Sequence, residues 1–164
     1  MVRFNILLLI ALLSLTVSCS TSTNEEAELY TEIAATESKA EVSEIEQEVI
    51  DVVNDYRVSQ GLSTLKFSAV AYDYANAHNT YMIEEGKISH DNFAKRSSEL
   101  SLDANADYVS ENLGKDFYSA EQILEAWINS PTHKKVMEGD VNYTAVSVKA
   151  DENGVLYFTQ LFFK

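Results

Sequence analysis

Val155-Leu156-Tyr157-Phe158-Thr159-Gln160-Leu161-Phe162-Phe163 is the stretch that decides the fold. Its β-branched and aromatic residues read as a strand. The alternation is apolar on both sides: Val155, Tyr157, Leu161 and Phe163 fall on one face, Leu156, Phe158 and Phe162 on the other. A strand buried on both faces needs one layer above it and another below. Tyr143 to Ala150 reads as its hairpin partner, with Asn153-Gly154 in the turn between them. Asp107 to Leu113 reads as a further strand or strand edge, which brings Glu111 into the same middle layer.

Upstream the apolar period becomes helical. Ile45, Val49, Val52, Val53 and Tyr56 recur at helix spacing and stop near Gly61. A second helix starts after Ser68, a sound N-cap, runs an apolar stripe through Val70, Tyr74, Ala77 and Tyr81, and ends at Gly86. His78 falls on the neighbouring row with Ala71, Ala75 and Met82. A third helix opens at Ser119-Ala120-Glu121-Gln122, the spacing of a capping box, and turns Ile123, Leu124, Trp127 and Ile128 inward before Pro131 ends it. Ser130-Pro131 then reads as the N-cap and first position of a short fourth helix to about Met137. Four helices on a small antiparallel sheet with two buried faces predict an α+β fold, a three-layer α–β–α sandwich. No internal repeat and no second folded domain is visible.

The N-terminal third is of another kind. Residues 1–19 read as a secretory signal: Arg3, an apolar run from Ile6 to Leu13 too short to span a bilayer, then small residues up to Cys19. Leu15-Thr16-Val17-Ser18-Cys19 resembles a bacterial lipobox with its leucine displaced by one place, which implies lipidation of Cys19 and an exported, membrane-anchored lipoprotein, periplasmic or at the cell surface. Cys19 is the only cysteine, so the folded part has no internal disulfide and depends on its packed core. Between Ser20 and Glu48 nine glutamates face one lysine. Such a segment solvates and repels itself, and residues 20–44 read as an acidic tether ahead of a domain at 45–164. The net charge of −14 leaves no basic patch for phosphates, which argues against nucleic acid as a partner.

The rare chemistry gathers in two places. Of three histidines, His90 follows the helix-ending Gly86 and His133 lies in the first turn of the fourth helix, with Ser110-Glu111-Asn112 between them. Imidazole and carboxylate together bind metals or move protons near neutral pH. The positive end of a helix disfavours an imidazolium, so His133 is expected to stay neutral. Two readings stand side by side. In one, His90 and His133 are ligands of a zinc or other divalent ion, with Glu111 as the group that bonds to a ligand or accepts a proton. In the other, the three form a hydrogen-bonded polar cluster on a cleft floor. His78 reads as a partly buried helix residue, Trp127 as core, Asn112 as a loop-fixing or cleft-lining amide, Ser130 as a helix cap, and Arg96 as the partner of an acid such as Asp91. No serine or cysteine stands at triad spacing.

The motifs, taken in order, resemble the CAP superfamily (cysteine-rich secretory proteins, antigen 5 and pathogenesis-related 1) in its short bacterial SCP-domain form, over about Ile45 to Lys164. They are Val53-Asn54-Asp55-Tyr56-Arg57 with Gly61-Leu62 and Leu65, Ser89 to Arg96, Ser110-Glu111-Asn112-Leu113, Ala126-Trp127-Ile128-Asn129-Ser130-Pro131-Thr132-His133, and Phe158-Thr159-Gln160-Leu161-Phe162. The resemblance implies an α–β–α sandwich and a cleft lined by two histidines and two acids, which holds zinc or another divalent ion in some members. His90, Glu111 and His133 fall on three of those positions. For the fourth, a glutamate after the tryptophan, the nearest residue is Ser130, while Glu125 lies two places before Trp127. Three functions follow as expectations: a surface-tethered module binding a lipid or sterol-like molecule or a protein, a zinc-dependent hydrolase of peptide or envelope material with Glu111 as its catalytic residue, or a structural envelope protein.

Overall fold

The computed structural model describes residues 42–164; the signal segment, Cys19 and the acidic stretch up to Glu41 lie outside the described residues. The elements run α1 (Glu44–Ser59), β1 (Lys66–Phe67), α2 (Ala69–Glu84), α3 (Phe93–Ala104), β2 (Val109–Lys115), α4 (Ala120–Asn129), α5 (Pro131–Met137), β3 (Tyr143–Ala150) and β4 (Leu156–Phe163). The sheet order is β1-β3-β4-β2. β4 is therefore an inner strand, antiparallel to β3 and to β2, while the two-residue β1 adds a parallel pairing at the other side of β3.

The two-faced strand is buried as its pattern demands. Phe158 and Phe162, with Val146 of β3, pack against Val49 and Val53 of α1, Ile123 and Trp127 of α4 and Met137 of α5. Leu161 and Phe163, with Ala145, meet Ala71 and Ala75 of α2 and Leu100 of α3 on the opposite face. The molecule is thus the expected sandwich, α1, α4 and α5 on one side of the sheet, α2 and α3 on the other.

Three expectations need correction. The helix α3 has no counterpart among the four that periodicity predicts; only Arg96 and Leu100 of it are buried, one of them charged, so no apolar stripe announces it. The inward row of α2 is Ala71, Ala75, His78, Asn79 and Met82, one position round from the stripe of larger apolar residues, and Val70 is exposed. Large side chains at the rim outweigh small ones at the centre when hydrophobicity alone is counted. Asn79 explains how a polar row can face the sheet: its Nδ2 donates to Ser147 O (2.7 Å) and Tyr157 O (3.1 Å) and its Oδ1 accepts from Thr159 Oγ1 (2.7 Å). Ser130, the third, occupies the N-cap position of α5 without a side-chain cap bond; its carbonyl accepts Lys134 N at 2.9 Å.

Two staples fix the parts that carry the site. Arg57, buried at the end of α1, donates from Nε to Ser63 O (2.9 Å) and from Nη1 to Met137 O (2.5 Å) and Gly139 O (3.1 Å), which holds the C-terminal end of α5. Trp127 Nε1 donates to Leu113 O at 2.9 Å, tying α4 to β2.

Candidate functional site

Glu111 sits in β2, which pairs with β4 and, among the described residues, has no strand on its other side. Its side chain turns to the α2–α3 layer and is 1% exposed. A buried carboxylate needs partners for both oxygens. His90 Nδ1 lies 2.8 Å from Oε1. Because a carboxylate only accepts, His90 carries its proton on Nδ1, and the lone pair of the neutral ring is on Nε2. The His90 side chain is 55% exposed, so the ring reaches solvent while Glu111 holds its inner edge. Arg96, in the first turn of α3, fills the remaining oxygen: Nε and Nη2 donate to Oε2 at 2.9 and 2.7 Å.

The loop bearing His90 is fixed from both flanking helices. Gly86 (φ +68°) ends α2, and Asn92 (φ 60°) turns the chain into α3. His78 Nε2 donates to Ser89 O at 2.9 Å, so this ring is a buried brace for the residue before His90. The same nitrogen is 4.0 Å from Glu111 Oε1. Burial pushes His78 below the ordinary histidine range, outweighing the nearby Glu111 charge that would raise it. Arg96 Nη1 donates to Asp91 O at 3.2 Å. The expected ion pair of Arg96 with Asp91 is therefore corrected: Arg96 meets the Asp91 carbonyl, while the Asp91 carboxylate takes Lys87 Nζ (3.0 Å) and Tyr81 OH (3.2 Å).

The second histidine approaches from the other layer. Asn112, fully buried and next to Glu111, donates from Nδ2 to His133 O at 3.0 Å. Consecutive residues of β2 thus hold the His90 ring from one helical layer and the His133 backbone from the other. His133 is half-buried, and burial first, the His90 charge second, lowers its pKa. The expected direction stands, with desolvation rather than the helix end as the cause. Glu125 is exposed on α4, where it lines a separate cavity of about 340 Å³ with Phe117, Gln122, Ala126 and Asn129. Ser130, half-buried, makes no side-chain bond to His90, Glu111 or His133 among the described contacts. The residue that sequence reasoning missed here is Arg96 as the partner of Glu111. Its signal was positional: a guanidinium in the first turn of a helix, where the backbone favours anions, calls for a strong acidic partner.

A zinc centre takes three or four side-chain ligands, with a solvent position in catalytic sites. Glu111 has both oxygens committed, and among the described residues no three His, Cys, Asp or Glu side chains converge as a metal-binding group. The residues here do not build a three-ligand centre.

The sequence model of the cysteine-rich secretory protein family matches residues 50–162. YlbC, an uncharacterized membrane protein of Bacillus subtilis (strain 168), is 28% identical over 124 residues, 73% of this chain and 34% of its own length. YkwD of the same organism is 26% identical over 128 residues, 76% of this chain and 49% of its own. The chain therefore spans about half or less of these curated relatives. Among solved structures, an outer surface protein of Borrelia burgdorferi superposes with a TM-score of 0.68 at 19% identity, covering 76% of this chain and 95% of that one. An extracellular SCP-domain protein of Bacillus anthracis gives 0.63 at 22% identity, covering 72% and 39%. These two likenesses bear on the fold. None of the described helices is long and apolar enough to cross a membrane.

Proposed function

Because the chain belongs to the cysteine-rich secretory protein family, we propose that it is an exported, lipid-anchored CAP-domain protein that works as a binding module, its recognition surface being the cleft between the His90 loop and α5. One observation carries this reading. The acid that a hydrolase would need is spent inside the fold, since Glu111 is buried with both oxygens bonded, whereas the His90 side chain is more than half exposed and only its Nδ1 is held by Glu111. A general base must come within hydrogen-bond reach of a substrate proton. Glu111 has no path to one, and His90 and His133 remain as the groups a ligand meets. A divalent ion is then a guest of the two imidazoles, a contributor to recognition and not a resident cofactor. The extracellular relatives and the signal-like N-terminus support the location.

The test compares the purified protein with a His90→Ala/His133→Ala variant. Lipid and peptide carried through purification are identified by mass spectrometry after extraction, and cleavage of peptide and envelope substrates is assayed with added zinc. The expected outcome is a ligand retained by the wild type, lost by the variant, and no cleavage by either. Zinc-dependent turnover that Glu111→Gln removes would establish the hydrolase instead. Absence of both ligand and turnover would overturn the binding reading in favour of a structural envelope protein.

A further inference from the structure

We propose that Arg96 is the built-in counter-cation of Glu111, and that by filling this role it keeps divalent metals off the carboxylate and sets the cleft apart from a metal centre. A buried carboxylate is tolerated only with a cation beside it, and either a metal ion or a guanidinium meets that need. In this fold the guanidinium meets it. Two of its nitrogens donate to the same oxygen, Oε2, at 2.9 and 2.7 Å, and a third donates to Asp91 O at 3.2 Å, which fixes the plane of the group. Arg96 is itself buried, its side chain 8% exposed, so the pair is not diluted by solvent.

The surroundings show what the arginine displaces. Two imidazole nitrogens lie near the other oxygen, His90 Nδ1 bonded to it at 2.8 Å and His78 Nε2 at 4.0 Å. Two histidines about one carboxylate is a donor set that zinc or cobalt accepts. Here neither nitrogen is free to coordinate. His90 Nδ1 donates its proton to Glu111 Oε1, and His78 Nε2 donates its proton to Ser89 O. Both commitments hold because Glu111 is already neutralised by Arg96. Remove the guanidinium and the carboxylate has an oxygen without a donor and a charge without a partner, next to two imidazoles whose ring nitrogens become ligands once the proton moves to the other nitrogen. Arg96 is in this sense a specificity-determining residue: it leaves the cleft the His90 ring and withholds Glu111. This role stands whatever the cleft binds, and metal titration alone reads it.

The experiment uses the purified protein freed of metal and titrates zinc by calorimetry and cobalt by its visible absorption. Arg96→Met, close to the arginine stem in shape, is expected to bind zinc at least tenfold more tightly than the wild type and to give the intense visible bands of a low-coordinate cobalt site. Arg96→Lys keeps the charge and is expected to stay at the wild-type affinity. Arg96→Met/Glu111→Gln is expected to lose the gain. Arg96→Gln, neutral but able to donate to Oε2, is expected to show a smaller gain in the same direction, which keeps the test decisive where Arg96→Met folds poorly. A wild type that binds zinc stoichiometrically and loses it on Glu111→Gln, or a folded Arg96→Met with no gain, overturns the proposal.

Discussion

His78 shows how much a single side chain settles in this fold. It lies on the inner row of α2, 11 residues before Ser89, and yet it holds the carbonyl of that residue and stands 4.0 Å from Glu111. Its neutral form is the one the fold uses, because the Nε2 proton goes to Ser89 O and burial holds its pKa below the ordinary 6.5. The unfolded chain therefore takes up this proton at a higher pH than the folded one does. The stability that His78 contributes is fully present above 6.5 and is lost as pH falls from there through the lower folded value, below which the loss levels off. The expected result is a urea midpoint that drops between about pH 7 and pH 5, with a shallower drop in His78→Gln, where the amide keeps a donor for Ser89 O and cannot charge. His133 is shifted in the same direction, so the variant reduces the slope without flattening it. Equal slopes for the two proteins would show that His78 is not the group responsible.

At the scale of whole elements, the strands and helices that were legible are those whose burial is made of apolar residues. β4 declared itself through Phe158, Leu161 and Phe162, and α4 through Ile123 and Trp127, all of which are buried. The contact of His90 with Glu111 and that of Asn112 with the His133 backbone join segments that the sequence singled out, through two of its three histidines and the Ser110-Glu111-Asn112 triplet between them. What stayed hidden is built from polar contacts. Arg96 and Leu100 are all that α3 buries, and α2 faces the sheet with Ala, His and Asn. Hydrogen bonding decides these elements, and periodicity does not report it. Glu46 is a further case, a glutamate in the first turn of α1 that reads as solvated and is 2% exposed. Its Oε2 accepts Ser43 N (2.7 Å) and Ser43 Oγ (2.8 Å), and its Oε1 accepts Val148 N (2.7 Å). β1 pairs with β3 only at Tyr143 and Thr144, so the β3 edge beyond it is open, and Glu46 closes that edge at Val148 while tying down the start of α1. Unpaired strand edges invite association with other chains. Glu46→Ala is expected to cost about 2–4 kcal/mol in urea unfolding, from several charge-assisted bonds and the donors left behind. Amide exchange at Val148 should speed up with it, whereas the amide of Leu161, inside the sheet, should keep its protection until global unfolding. A variant of wild-type stability with a protected Val148 amide would refute this role.

The sequence joins a CAP-family domain to an N-terminal part of a wholly different composition. The glutamates between Ser20 and Glu48 outnumber the lysine nine to one, and Glu46 alone among those in the described residues is taken into the core. Charge of one sign disfavours adhesion of such a stretch to acidic protein surfaces and anionic headgroups alike. As the tether we propose, its physical use is distance from a surface. Distance from a surface serves a binding module only when the far end is held, and Cys19 is the single thiol available to hold it. A diacylated cysteine supplies two acyl chains, and two membrane signals are what stable anchoring takes. In cells fed an alkyne analogue of palmitate, the wild type should carry the label and sediment with membranes. Cys19→Ser should carry none and appear in the soluble or secreted fraction, with an unchanged denaturation midpoint. Equal labelling of both proteins would end the lipid-anchor reading. Membrane sedimentation of an unlabelled Cys19→Ser would point to an uncleaved signal segment, with its apolar run from Ile6 to Leu13, as the attachment.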